Sequence, residues 1–99
     1  MKINLSFKFK QLAGEWIHRP GDTEDLTLRT VCTDSLLGNY QDERMDGAEK
    51  LSRYKLATKI FYAGDEVELT TEEIVLLKKL IAKMFSVLVT GQAWEYLEK

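Results

Sequence analysis

The segment TTEEIVLLKKLIAKMF, residues 70–85, carries the strongest structural signal in the sequence. Thr70 and Glu73 have the spacing of a capping box, in which each side chain accepts a hydrogen bond from the other residue's backbone N–H at the start of a helix. The apolar positions that follow cover most of the circumference of a helix predicted over 71–85. Such a helix is buried on more than one side, so we expect it at the centre of the fold.

Three other helices are predicted. The first covers about 28–37 and the second about 47–62, and each follows a residue that can cap a helix N-terminus, Thr27 and Asp46. The last helix is predicted to start near Ser86 or Val87 and to run to about Leu97. The chain is therefore mostly helical after its first quarter.

The N-terminal segment has the pattern of a β-strand. Residues 3–9, INLSFKF, alternate between apolar and polar side chains, which indicates a strand with its odd-numbered residues in the core. A turn follows, and 15–18 is predicted to return as the second strand of a hairpin, while 66–69 is a short link with one strand-like pairing. The predicted fold class is α+β, with an N-terminal β-hairpin packed on a bundle of three to four helices. We expect one domain, 1–99.

Composition limits the classes of function. The formal net charge of −2 argues mildly against a nucleic-acid-binding protein, because such proteins usually carry a basic surface. The single cysteine and the lack of a secretory signal predict a cytoplasmic protein. No apolar run approaches the ~18 residues that a membrane-spanning helix needs.

The sequence offers few groups for catalysis. His18 is the only histidine and Cys32 the only cysteine, and they lie in different predicted elements, so neither a zinc motif nor a nucleophilic pair is indicated. Cys32 falls on the apolar face of its helix, which favours a buried role. The acidic clusters fit solvated loops and helix N-termini better than a metal site. We therefore predict neither an enzyme, nor a metal site, nor a cofactor.

The C-terminal helix is one candidate docking surface. At 100° per residue, Trp94 and Leu97 share an apolar face with Val87, and Tyr96 lies at the edge of that face. We expect Trp94 to anchor the tail in the core and Tyr96 to face outward, where tyrosine is often found at binding hot spots. The free edge of the first strand is an alternative surface, open to strand addition by a partner.

Basic residues lie on two of the helices, at Lys50, Arg53, Lys79 and Lys83 among others. They would form a basic ridge if those helices packed antiparallel, although nearby glutamates dilute it and a solvated face is the favoured interpretation. The predicted protein-binding residues are Trp94, Tyr96, Lys79 and Lys83.

The segments LTLRTVC, EEIVLLKKLIAK and GQAWEYLE together resemble small phage- and prophage-encoded proteins with a short N-terminal hairpin followed by helices. The resemblance covers about 1–98, with variable loops at 18–25 and 39–46. It implies a viral origin and a bacterial cytoplasmic setting. No activity is assigned to that group, so the resemblance carries over no site residue.

These observations favour a non-enzymatic protein-interaction module, encoded by a phage, that binds and modulates a host or phage protein. The alternatives are a virion-assembly chaperone for tails or heads and a nucleic-acid-binding regulator. A two-stranded sheet is marginal by itself, so we also expect a homodimer through the hairpin edge or the last helix. Neither a membrane nor a nucleic acid is the expected partner.

Overall fold

The computed structural model describes residues 1–19, 21, 24–41 and 43–98. In chain order its elements are β1 (Lys2–Asn4), α1 (Leu28–Leu37), α2 (Gly47–Phe61), β2 (Glu66–Glu68), α3 (Thr71–Met84) and α4 (Val87–Leu97). The α+β class, with an antiparallel pair of strands and four helices, is confirmed. Each helix ends within one residue of its predicted bounds.

Local side-chain caps explain where the helices begin. The capping box of α3 is complete, since the Glu73 N–H donates to Thr70 Oγ1 at 3.1 Å and the Thr70 N–H donates to Glu73 Oε1 at 2.8 Å. At the start of α2, Asp46 accepts a hydrogen bond from the Glu49 N–H at 2.8 Å. Thr27 precedes α1 in an extended conformation, without a side-chain cap among the described residues. Two of the three predicted caps therefore act through their side chains.

The first strand pairs with a different segment from the one predicted. β1 runs antiparallel to β2, with Ile3 opposite Val67. The regular strand is short because Asn4 accepts hydrogen bonds from the Ser6 and Phe7 N–H groups, which turns the backbone after β1. The link at 66–69, for which one strand-like pairing was expected, is thus the second strand of the sheet.

The predicted return segment 15–18 still folds back along the N-terminal segment, but only through isolated contacts. Lys10 and Trp16 form one antiparallel bridge. The Ile17 N–H donates to the Phe9 carbonyl oxygen at 2.9 Å. These contacts do not extend into a ladder of paired residues. Residues 10–16 therefore form a hairpin loop, not a second strand, and this loop projects from the α+β core.

The core lies between the N-terminal segment and the helices. Ile3, Leu5 and Phe9 are buried, as their alternation predicts. α1 packs against α2 and α3, and α3 packs against α1 and α4. α3 is therefore central, as predicted, and α1 shares that position. α1 fits there because Ser35, fully buried, satisfies its hydroxyl by donating to the Val31 carbonyl oxygen at 2.7 Å.

An arginine of α1 closes the end of α2. The Arg29 guanidinium donates to the carbonyl oxygens of Ile60, Phe61, Ala63 and Gly64 over distances of 2.5 to 3.0 Å. The last carbonyl groups of a helix have no partner within the helix, and a cation is favoured at this negative end of the helix dipole. Arg29 thus fixes the chain between α2 and β2 against α1.

Candidate functional site

α3 and α4 form a helical hairpin. Phe85 and Ser86 link them, and the Val89 N–H donates to Ser86 Oγ at 3.4 Å, so α4 starts immediately after α3 ends. Farther along, Trp94 Nε1–H donates to the Lys78 carbonyl oxygen at 3.0 Å. This contact between residues distant along the chain shows that α4 runs back along α3, which leaves an outward groove between them.

Two shallow hollows lie along this groove and share the indole of Trp94. One has a volume of about 390 Å³ and the other about 240 Å³. Together their lining defines the α3–α4 face: Val75, Lys78, Lys79, Ala82, Phe85, Val87, Thr90, Gly91 and Trp94. The side chains are mostly apolar, and the hollows are open rather than enclosed. This geometry suits a docked polypeptide segment better than a small substrate, which enzymes usually enclose.

Apolar side chains at both ends of the α3–α4 face are uncovered. Val87 is 91% exposed and Val75 is 61% exposed. Isolated exposed valines are ordinary on protein surfaces, but these two flank a half-buried tryptophan across two adjacent helices. The α3–α4 face is therefore a continuous apolar strip.

Trp94 is held rigidly at the middle of that strip. Its indole N–H is satisfied by the Lys78 carbonyl oxygen. The Lys78 ammonium lies 4.7 Å from the ring centroid and 2.9 Å from Glu98 Oε1, so a cation–π contact and an ion pair fix the lysine over the ring. A rigid aromatic side chain with its hydrogen bond already satisfied loses little entropy when a partner covers it.

Tyr96 does not face outward as predicted. It is half-buried against the core, and its hydroxyl accepts a hydrogen bond from the Asn4 N–H at 2.7 Å. Its ring lies 4.7 Å from the ring of Phe7. Tyr96 thus joins α4 to the N-terminal segment, and its predicted exposure is wrong because β1 and the turn after it lie along that side of α4.

The edge of the N-terminal segment, the alternative docking surface, is covered by α4. Gln92 Oε1 accepts from the Lys10 N–H at 2.9 Å, and Gln92 Nε2 donates to the Lys10 carbonyl oxygen at 2.8 Å. The side-chain amide therefore pairs with the backbone as a neighbouring strand would. Strand addition by a partner at this point would require Gln92 to leave.

The two predicted lysines converge on a single carboxylate. Lys79 Nζ lies 3.2 Å and Lys83 Nζ 3.5 Å from Glu43 Oε2. Arg53, almost fully buried, contacts both oxygens of Glu43 at 3.2 Å. Hydrogen bonds from Arg53 and then Lys79 hold the pKa of Glu43 down to about 2. This cluster ties the loop before α2 to α2 and α3, and Lys79 alone of the two lysines also lines the α3–α4 face.

The groups considered for catalysis are not arranged for it. Cys32 is fully buried, and burial raises the pKa of its thiol to about 12, so the nucleophilic thiolate is disfavoured. His18 lies on the exposed hairpin region with Nδ1 3.4 Å from Asp25 Oδ1. Within the described residues, no group of three or more His, Cys, Asp or Glu side chains is placed to hold a metal ion. None of the described helices is long and apolar enough to cross a membrane.

Sequence reasoning placed Val87 on the same face of α4 as Trp94, and both residues line one hollow, but it did not predict that Val87 is exposed and it did not single out Gly91. Leu97, which was expected on that face as well, is buried together with Ala93 on another side of α4. The buried face of α4 follows the four-residue spacing of Val89, Ala93 and Leu97, and a residue two positions earlier lies about 200° round the helix. The four-residue spacing of these buried residues is visible in the sequence and predicts that Val87 faces outward.

No protein-family model, curated protein or solved structure gives a significant match to the chain.

Proposed function

We propose that the chain is a non-enzymatic protein-interaction module, encoded by a phage or prophage, that acts in the bacterial cytoplasm by binding and modulating a host or phage protein. The observation that carries the proposal is the α3–α4 face, where Val75 and Val87 are exposed on either side of a rigidly held Trp94. Contiguous exposed apolar surface of this kind marks interaction sites.

The shape of the α3–α4 face favours an amphipathic helix as the bound element. A groove between two packed helices accepts the apolar stripe of a third helix, whose side chains recur every three or four residues. Trp94 supplies a large contact at the centre, and Val75 and Val87 supply apolar contacts at the two ends. The partner class is therefore a protein with an accessible amphipathic helix.

The same contacts weigh against a nucleic-acid regulator. Lys79 and Lys83 both lie within ion-pair distance of Glu43, so the basic ridge considered for the nucleic-acid alternative is partly neutralised. The α3–α4 face is itself mostly apolar, which suits a protein partner better than a phosphate backbone. A virion-assembly chaperone would use the same α3–α4 face, and the identity of the partner separates it from a modulator of host machinery.

The proposal is tested by affinity capture from phage-infected bacterial lysate with Val87→Glu and Leu12→Glu variants. Both replace a highly exposed apolar side chain, 91% exposed at Val87 and 96% exposed at Leu12, so neither change should unfold the protein. Leu12 lies on the projecting hairpin loop and does not line the α3–α4 face, so it serves as the matched control. A stoichiometric partner retained by wild type and Leu12→Glu but lost by Val87→Glu is the expected result.

The captured protein must then bind in purified form through a helical segment with the same dependence on Val87. Equal capture by both variants would overturn the assignment of the α3–α4 face. Capture of nuclease-sensitive material alone would overturn the protein-interaction function. Tyr96→Ala is unsuitable for this comparison because it removes the hydroxyl that binds the Asn4 N–H and would disturb folding.

A further inference from the structure

Gly91 is an unusual residue on the α3–α4 face, because it is a glycine in a helix at a position where a larger side chain would fit. It lies in the interior of α4 and is exposed, and apart from its chain neighbours and the nearby backbone of α4 no described atom lies within 4 Å of the position where a Cβ would be. Glycine in the interior of a helix is destabilising relative to alanine. An alanine at Gly91 would thus fit and would stabilise the isolated chain.

Gly38 shows the contrast. A Cβ added at Gly38 would come within 2.5 Å of Met84 Cε and 3.1 Å of Tyr40 Oη, so its small size has a reason within the chain. Gly91 has no such reason among the described residues. The common physical reason for a glycine on an exposed helix face is the close approach of another backbone, which a Cβ would prevent.

We propose that α4 of a second copy of the chain crosses α4 at Gly91, antiparallel and about a two-fold axis, and covers the α3–α4 face of the free protein. Gly91 lies near the middle of α4, as a residue on such an axis must. Val87 on one side of the crossing then faces Glu95 of the second copy, and Leu88 faces Trp94 of the second copy. The outward sides of Val87 and Trp94 of each copy are thereby covered.

Charge favours a second copy in this orientation. The first turn of α4, VLVT, contains no acidic residue, although the positive end of the helix dipole favours one there. Glu95, an exposed acid of α4, lies towards its other end, whereas Glu98 follows the helix and is already paired with Lys78 of its own copy. Antiparallel crossing brings Glu95 of each copy beside the N-terminus of the other α4 and keeps the two Glu95 side chains apart, so the surface is complementary to itself.

This inference rests on the α3–α4 face of the proposed function and adds a regulation. The second copy occupies the groove that an amphipathic helix of the partner would enter. Dimerisation and partner binding therefore compete. Binding of the partner to the monomer shifts the monomer–dimer equilibrium away from the dimer. Each added increment of partner should lower the dimer fraction.

Sedimentation velocity over a concentration series tests the dimer with two glycine variants. Gly91→Ala should raise the melting temperature of the monomer at low concentration and raise the dimer dissociation constant by ~10-fold or more, about 1.4 kcal/mol. Gly47→Ala is the matched control, since Gly47 is also helical and exposed with no described atom near its Cβ position. It should leave dimerisation unchanged.

A wild-type protein that is monomeric up to ~1 mM overturns the inference, as does a Gly91→Ala variant that dimerises like wild type. A charge pair tests the orientation. Val87→Lys should weaken the dimer less than Val87→Glu, because the lysine would face Glu95 of the second copy. Equal weakening by the two variants would overturn the antiparallel arrangement.

The two proposals fail separately. A monomeric protein that still captures a partner through Val87 removes the dimer and leaves the interaction function. A Gly91-dependent dimer that captures no protein from lysate supports the dimer and removes the function of binding a host or phage protein.

Discussion

Replacing Arg29 with methionine removes the contact that fixes the C-terminal end of α2. In the wild type, the guanidinium of this α1 residue donates to four carbonyl oxygens, those of Ile60, Phe61, Ala63 and Gly64. Methionine retains part of the apolar stem but has no donor. The change therefore isolates the hydrogen bonds from the packing of the side chain.

The expected loss in the free energy of unfolding depends on which of the four carbonyl oxygens are shielded from water. The bonds to Ile60 and Ala63 are partly buried, while those to Phe61 and Gly64 are exposed, where water can replace the guanidinium. Two shielded bonds to a charged donor, at about 1.5 kcal/mol each, give a loss of about 3 kcal/mol in the free energy of unfolding. Arg29→Lys keeps the charge but not the planar fork, so its loss should be smaller.

Urea unfolding followed by circular dichroism measures this loss. The midpoint should fall while the dependence of the unfolding free energy on urea stays the same. Arg44→Met is the control, because Arg44 is exposed and a surface change of this kind alters stability by less than about 0.5 kcal/mol. A loss below about 1 kcal/mol for Arg29→Met would show that these contacts are not what holds α2 to α1.

Three further predictions concern single side chains. The pKa of Glu43 lies at about 2, below its ordinary 4.5, so the carboxylate stabilises the fold fully above pH 4.5 and loses this contribution as the pH falls towards 2. The difference in unfolding free energy between wild type and Glu43→Gln should therefore shrink over that range in urea titrations, and a difference that is constant with pH would contradict this. Cys32, buried with a thiol pKa of about 12, should react with a thiol reagent at pH 8 only as fast as the protein unfolds; rapid stoichiometric labelling of the native state would refute its burial. Tyr96→Phe removes the hydroxyl that accepts the Asn4 N–H and should lower the unfolding free energy by about 1 kcal/mol while partner affinity is unchanged, and the reverse pattern would restore Tyr96 as a binding residue.

The helices could be predicted from the sequence because their determinants are local. The capping box of Thr70 and Glu73 and the cap at Asp46 depend on residues three apart, and both act as the spacing indicates. The burial of the odd-numbered N-terminal residues likewise follows from their alternation. These features need no knowledge of the rest of the fold.

The strand pairing and the central position of α1 could not be predicted in the same way. Ile3 meets Val67 only after two helices and their loops have been placed between them, and a local hairpin competes with that pairing on the pattern alone. The role of Arg29 depends on the end of a different helix. Long-range contacts of this kind are decided by packing, which sequence periodicity does not encode.

The candidate site was predicted in part. Trp94 lies on the α3–α4 face, and Lys79 lines it, but Tyr96 and Lys83 are held elsewhere by the N-terminal segment and by Glu43. Aromatic composition draws attention to Trp94 and Tyr96 equally. Which of them is covered depends on where the N-terminal segment lies, and that is a tertiary contact.

The most direct test of the α3–α4 face is the amide chemical-shift change of the labelled protein when its captured partner is added. The account predicts that the largest changes cluster along α3 and α4 at Val75, Ala82, Val87 and Gly91, with little change in the hairpin loop over 10–16. A cluster confined to that loop, or to the loop that carries Glu43, would contradict the assignment of α3 and α4 as the binding surface.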